Sequence, residues 1–313
     1  MKTSTSKRLR WNVAIWLAAG LFMTSTAGMA SGPIMPDPKA EARHQPQVEE
    51  TANGIPLVNI TAPSSGGVSR NEYETFNVPD KGAILNNSYT LSKTELAGYV
   101  QGNNNMAERP AKIIVNEVTG AGSTSMDGFL EVAGNRADVV IANPNGITVN
   151  GGGFINTGKA FLTTGKPVYD GEDHLQRFDI TGGDILIEGK GLGGKETGSL
   201  AILSRAVKIN AGIWAKDLHI TTGANTVDAK TLEASAIEGK GGRPAFALDT
   251  AAIGGMYAGR ITLVGTEKGL GVNNSGTWSA EDNLTLDWNG DLKNSGTIYS
   301  KGNTDLRASH LEN

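Results

Sequence analysis

Chemistry at a protein site needs nucleophiles, acid–base pairs or metal ligands at close spacing, and few residues here qualify. His44, His174, His219 and His310 are scattered, with no ligand spacing among them. Glu172-Asp173-His174 is a short run of metal-type donors whose polar neighbours mark it as a solvated loop. Cysteine is absent, which removes disulfides and thiolate metal sites. No serine elbow occurs, and no paired carboxylates stand out from the surface charge. Gly189-Lys190-Gly191-Leu192-Gly193-Gly194 satisfies a GxGxxG pattern. A dinucleotide site also needs a helix to open there, so that its N-terminus faces the pyrophosphate. Lys195-Glu196-Thr197-Gly198 leads instead into another β-like run, so these glycines mark a chain corner. Catalytic residues, metal ligands and cofactors are all expected to be none, and the chain is not read as an enzyme.

The informative chemistry is that of turns. Asp138-Val139-Val140-Ile141-Ala142 is apolar, β-branched and too short for a helix. Asn143-Pro144-Asn145-Gly146 follows at once. Asn first, Pro second and Gly fourth suit a type I turn, because proline presets φ and the glycine leaves without steric cost. Ile147-Thr148-Val149 starts a new strand, and Asn150-Gly151-Gly152-Gly153 breaks the chain again. The order strand, tight turn, strand, glycine corner is one coil of a solenoid.

The elements around this stretch are of the same kind. Short apolar runs include Ile55 to Ile60, Ala83 to Asn87, Lys112 to Val118, Ala160 to Leu162, Phe178 to Ile180 and Asp184 to Ile187. Others are Leu200 to Leu203, Ala206 to Ile209, Leu218 to Ile220 and Ile261 to Val264. Gly, Asn, Asp or Thr separates nearly all of them, and Lys230 to Ile237 is the sole weak helix candidate. Near the C-terminus Asn274-Ser275-Gly276-Thr277-Trp278 returns as Asn294-Ser295-Gly296-Thr297-Ile298, while Asn283 and Leu286 match Asn303 and Leu306. A period near 20 with glycine or asparagine corners predicts a parallel β-helix. Residues 51–313 would give about 13 coils, roughly 60 Å long at about 4.8 Å each. The chain stops in mid-repeat, as a fragment of a longer protein would, or else leaves its last coil as an open edge.

Of the 313 residues 42 are Gly and 6% are aromatic, which favours β structure with many corners. Residues 1–30 carry Lys2, Lys7, Arg8 and Arg10 ahead of an apolar stretch, Trp11 to Met23, of signal-peptide length. Small residues precede a cleavage point between Ala30 and Ser31. Removing these four basic residues leaves 24 basic against 32 acidic side chains, a net charge of −8, with no basic footprint for nucleic acid. Residues 31–53, with Pro33, Pro36, Pro38 and Pro46 and no apolar period, are expected to be a flexible leader.

Several blocks carry a family resemblance. Phe76-Asn77-Val78, Gly82 to Asn87, Ile114 to Val118, Glu131 to Gly134 and Val140 to Thr148 resemble the two-partner secretion domain. That domain opens filamentous haemagglutinins, haemolysins of the same pathway and contact-dependent inhibition exoproteins of Gram-negative bacteria. Gly158 to Pro167 and Asn210 to Leu218 are more similar to the haemagglutinin and inhibition branch. The match covers about Thr51 to Val264.

The resemblance implies an all-β, right-handed parallel β-helix with about 20 residues per coil and an N-terminal β cap. It implies a signal peptide over 1–30, a leader over 31–53, the secretion domain over 54–264 and the start of truncated repeats over 265–313. Implied partners are the Sec translocon, a cognate outer-membrane β-barrel transporter bearing POTRA domains, and a host or bacterial cell surface. The protein would pass through the periplasm to the medium or the cell surface. Two asparagine motifs are associated with secretion in the family. The NPNG type is intact at Asn143, Pro144, Asn145 and Gly146. The NPNL type aligns with Asn103, Asn104, Asn105 and Met106, where Asn replaces Pro and Met replaces Leu. Each motif is either a transporter contact or a turn that sets strand register. The reading is the secretion domain of a haemagglutinin-like adhesin. The alternative is the N-terminal part of a contact-dependent growth inhibition toxin exoprotein, then a haemolysin. A polysaccharide lyase fits the fold alone.

Overall fold

Each short apolar run becomes one strand, and each glycine or asparagine cluster becomes a corner. The computed structural model describes residues 32–106 and 109–313, so the signal peptide and its cleavage point at Ala30 and Ser31 lie outside the described residues. The coil has three faces. The first is an eight-stranded, all-parallel sheet running from Thr124–Met126 through Ile147–Val149, Asp184–Ile187 and Ala206–Ile209 to His310–Glu312. The second stacks Pro56–Asn59, Ala83–Asn87, Phe129–Gly134, Gly152–Ile155 and Leu192–Gly194 on one another, and continues to Thr297–Ser300. The third stacks Val68–Phe76, Ile113–Val118, Ala137–Ala142, Thr157–Thr163 and Ser199–Ser204, and continues to Thr304–Arg307. The protein is an all-β, parallel β-helix.

Alternation places one set of side chains inside each coil. Val139 and Ile141, Ile147 and Val149, Phe154, and Ala160 and Leu162 all join one continuous interior core. Coils therefore stack like on like, and each fully buried Ile, Leu or Phe contributes about 1.5–3 kcal/mol by leaving water.

The solenoid has nine rungs on its third face rather than about 13 coils, because residues leave it in insertions. Leu200 pairs with Leu218, but Leu218 pairs with Ile261. The hairpin Lys166–Tyr169 with Leu175–Ile180 joins Asn225–Asp228 with Ala234–Ala236 as a four-stranded antiparallel sheet. Phe178, Ile180 and Val227 cover the outward side chains Val115, Val140, Phe161 and Leu203 of the third face. The helix candidate over Lys230 to Ile237 is corrected: it holds a turn and the strand Ala234–Ala236. A second hairpin, Ser92–Thr94 with Gly98–Val100, covers Leu57, Ile84 and Ala133 on the second face.

Residues 32–53 are not a flexible leader. Ile34–Pro36 pairs antiparallel with Val68–Phe76, and Gln47–Glu50 pairs antiparallel with Pro56–Asn59. These two strands end the parallel ladders at the N-terminal side and form the β cap. Proline density misled the sequence reading, since edge strands tolerate proline when its missing N–H faces away from the ladder.

The repeat predicted at the C-terminus is built from two stacks. Asn274 donates to Asn294 and Asn294 to Asn313, at 2.8 and 2.6 Å, which forms an asparagine ladder along one corner. At the next position a Cβ on Gly276 would lie 2.2 Å from the Gly254 carbonyl oxygen, and one on Gly296 2.1 Å from that of Gly276. Backbone cannot retreat from such a clash, so Gly276→Ala is expected to lower stability by about 1–3 kcal/mol. Gly122→Ala, where a Cβ meets nothing within 4 Å, should be near neutral. Urea unfolding of the two variants side by side checks this.

Candidate functional site: two asparagine corners

The two asparagine motifs have the same local geometry. In Asn143-Pro144-Asn145-Gly146 the Gly146 N–H donates to the Asn143 carbonyl at 3.1 Å, closing the turn, and Gly146 has φ 110°, where a side chain would be strained. The Asn143 side chain accepts from the Asn145 N–H at 2.9 Å and donates to the Gly122 carbonyl at 2.9 Å and the Thr124 hydroxyl at 3.0 Å. Asn145 donates to the Gly120 carbonyl at 2.8 Å. In Asn103-Asn104-Asn105-Met106 the Met106 N–H donates to the Asn103 carbonyl at 3.2 Å. The Asn103 side chain accepts from the Asn105 N–H at 2.9 Å and donates to the carbonyls of Ile60 and Asn86 at 2.8 and 3.0 Å. Asn105 donates to the Ile60 carbonyl at 3.2 Å.

In both, the first Asn is buried and rivets the corner to the preceding coil, while its oxygen folds its own turn. The second position is exposed in both (Pro144, Asn104), so the departure from Pro leaves the device intact. Met106 is fully buried in the interior core, where its flexible thioether stands in for Leu. The motifs occupy different corners. The first follows Ala83–Asn87 on the way to Ile113–Val118, and the second joins Ala137–Ala142 to Ile147–Val149. A groove of about 450 Å³ lies beside the second, lined by Asn145, Gly146, Thr148, Asp184 and Lys208.

Other buried asparagines matter equally and were not singled out from the sequence. Asn87 donates to the carbonyls of Ala111 and Asn135 and accepts from the Ala111 N–H, tying three successive segments together. Asn86 donates to Asn59 at 2.8 Å, and Tyr73 donates to Asn116 at 3.0 Å. Their signal was present: polar pairs ending apolar runs, as in Ala83-Ile84-Leu85-Asn86-Asn87.

The buried and paired ionisable groups hold the cap and insertions in place. The Arg70 guanidinium lies 2.8 Å from Glu72 and 4.5 Å above the Tyr169 ring, while His44 lies 3.0 Å from Glu72. Burial raises the Glu117 carboxyl, with Arg70 opposing from 3.4 Å, and burial lowers His44. Glu131, also raised by burial, accepts from the N–H groups of Glu95 and Leu96 and so anchors the second hairpin. Glu172-Asp173-His174 forms a hairpin tip: Asp173 pairs with Arg43 at 2.7 Å and His174 with Asp170 at 2.9 Å. Gly189 to Gly194 form a turn followed by the strand Leu192–Gly194, with no helix to face a phosphate.

A family model described as the TPS secretion domain matches residues 33–298. The chain belongs to the TPS secretion domain family. It is 43% identical to the Toxin CdiA of Yersinia pestis over 88% of its own length and 9% of that protein's. It is 44% identical to the 16S rRNA endonuclease CdiA of Enterobacter cloacae subsp. cloacae, over 90% and 9% respectively. The crystal structure of the filamentous hemagglutinin secretion domain superposes with a TM-score of 0.76 at 32% identity, covering 90% of this chain and 97% of that one. This chain thus spans about 9% of the length of those curated relatives. The TPS domain is a non-enzymatic secretion domain, and the toxin and nuclease names belong to those relatives. The family match begins at 33, ahead of the boundary at 54 read from the sequence, and so takes in the cap.

Asn143→Ala would strand the buried Thr124 hydroxyl and take the acceptor from the Asn145 N–H, so it is expected to cost about 1–3 kcal/mol. Pro144→Ala and Asn145→Ala, at exposed positions, should each cost less than about 1 kcal/mol; urea melts separate the two outcomes.

His219 supplies a pH test. Burial lowers it to about 4, and its ring bonds the Thr221 hydroxyl at 2.9 Å. Because the folded value lies below the unfolded one near 6.5, the unfolded chain takes the proton first as pH falls. Stability should drop by up to about 3 kcal/mol between pH 6.5 and 4, and His219→Gln should flatten that part of the curve. Urea midpoints at pH 7.5 and 4.5 for both proteins measure it.

Proposed function

We propose that this chain is the address and folding nucleus of a large exported exoprotein, a haemagglutinin-like adhesin. The Sec translocon takes it across the inner membrane on residues 1–30, with cleavage between Ala30 and Ser31. In the periplasm the POTRA domains of a cognate outer-membrane β-barrel transporter bind the secretion domain before it emerges. A TPS domain implies such a transporter partner, and exoproteins of this family are secreted or held at the cell surface.

The observation that supports this reading is the pair of matched asparagine corners set in a β-helix closed at one end. Antiparallel cap strands block pairing at the N-terminal side, so coils add only toward the C-terminus. Each added coil buries its apolar residues against the last, and this free energy can bias passage outward where no ATP is available. The exposed Asn104, Pro144 and Asn145 are the motif positions free to meet a transporter, while Asn103 and Asn143 act through the fold.

A second reading is favoured by the relatives named CdiA at 43–44% identity. In it the same secretion domain opens a contact-dependent inhibition exoprotein whose toxic activity resides outside these residues.

The test is an immunoblot of cells and medium with antibody against residues 54–264, with and without the cognate transporter gene. The protein is expected to disappear from the medium when the transporter is deleted. Undiminished release would overturn the proposal. Asn145→Ala is expected to cut release several-fold while lowering stability in urea by less than about 1 kcal/mol. Release equal to wild type would confine that residue to turn formation.

A further inference from the structure

Two buried carboxylates lie side by side on the outward side of the third face. The strands Val68–Phe76 and Ile113–Val118 pair in parallel with Glu72 in register with Glu117, which sets their Cα atoms about 4.8 Å apart. Both residues are buried, at 9% and 5% exposure. Their chain neighbours Tyr73 and Val118 point into the interior core, so the two carboxylates point outward. The next rung carries Ala142 at this position, so no charge follows on that side.

One guanidinium serves both. Arg70 Nη2 lies 2.8 Å from Glu72 and 3.4 Å from Glu117. The cap contributes His44, 3.0 Å from Glu72, and the insertion sets the Tyr169 ring 4.5 Å from the Arg70 guanidinium. Lys166 and Arg43 are the nearby cations on those two elements; both are exposed, and Arg43 is paired with Glu41 and Asp173. With His44 neutral, the buried cluster sets two carboxylates against one guanidinium. Glu117 Oε2, Arg70 Nε and the Tyr169 hydroxyl are all buried there without a hydrogen-bond partner. Two like charges at this separation, out of water, favour a proton on one of them.

We propose that Glu72 and Glu117 share one proton, and that this proton site clasps the cap and the antiparallel insertion to the first rungs, loosening as the proton leaves. The proton belongs to the pair, and the Glu117 end holds it more readily, since burial raises that carboxyl while Arg70 opposes. His44 from the cap and Tyr169 from the insertion keep water from the cluster, so lifting either element lets both carboxylates ionise. Proton release and loosening are therefore linked. Because the folded value of Glu117 lies above the unfolded one, its contribution is full at low pH and is lost as pH rises through the folded value. His44, lowered by burial, acts in the opposite sense on the acid side. The inference goes beyond secretion and does not depend on it.

The test is a carbon-13 NMR titration of the full 313-residue chain labelled at its glutamate carboxyl carbons, with amide exchange read alongside. A step above the ordinary value of 4.5 is expected that Glu117→Gln removes and Glu131→Gln leaves in place. After correction for intrinsic rates, exchange in residues 34–50 and 166–180 should run roughly threefold or more faster at pH 8 than at pH 5. Glu117→Gln, which mimics the protonated side chain, should abolish that rise. Glu72→Gln leaves Arg70 to a single carboxylate, so the Glu117 step should move down toward 4.5. That variant keeps the test decisive if Glu117→Gln does not fold. Glutamate titrations above 4.5 that are the same in wild type and Glu117→Gln overturn the proposal. So does a Glu117 step that Glu72→Gln leaves in place, or an equal rise in exchange in wild type and Glu117→Gln.

Discussion

A parallel β-helix must turn its chain at each face of every coil, and each turn leaves backbone donors and acceptors that the ladders do not use. Buried without partners, each would cost about 1–3 kcal/mol. The structure depends on side-chain carboxamides that supply those partners. Asn103 and Asn143 each satisfy a turn of their own and two acceptors in the preceding coil. Asn87 closes a segment that the ladders leave open, and Asn274 with Asn294 repeats the principle with one carboxamide per coil. Asparagine serves because one short side chain carries both donor and acceptor. Aspartate lacks the donor, and the longer glutamine would overshoot the corner.

The second constraint is the ladder's ends and flanks. A stack of parallel strands exposes unpaired groups at both ends and an apolar outer surface wherever a face is not polar. At the N-terminal side the cap strands Ile34–Pro36 and Gln47–Glu50 run antiparallel and close the ladder. On the third face the antiparallel insertion buries Val115, Val140, Phe161 and Leu203. The ionisable cluster of Arg70, Glu72, His44 and Tyr169 sits where cap and insertion approach one another, and Arg43 with Asp173 spans the same junction. Charge here fastens layers together.

These features fit the proposed export, in which the domain folds after crossing a membrane as an unfolded chain. A closed end and repetitive corners give a direction of winding, and contacts between neighbouring coils are local enough to form one coil at a time. Without cysteine, no disulfide can form prematurely on the way.

The sequence by itself determined the class of fold. Short β-branched runs between Gly and Asn clusters, with a repeat near 20 residues, admit little besides a β-solenoid, and Asn143-Pro144-Asn145-Gly146 specified its turn through proline's fixed φ and glycine's freedom. The motif blocks from Phe76 to Leu218 also carried the family. Only the tertiary structure decided the rest. Ile34 to Glu50 lacked an apolar period, yet it pairs because the first rungs offer it a free edge. Phe178, Ile180 and Val227 resemble any solenoid strand in sequence, and they leave the coil because their apolar faces find cover on the outward side of the third face. Asn103-Asn104-Asn105-Met106 looked degraded, but the coil fixes only its first and third asparagines and a buried fourth residue, while its second position faces solvent. Local pattern sets strands and turns. Which face a strand joins, and which asparagine becomes a rivet, depends on partners dozens of residues away.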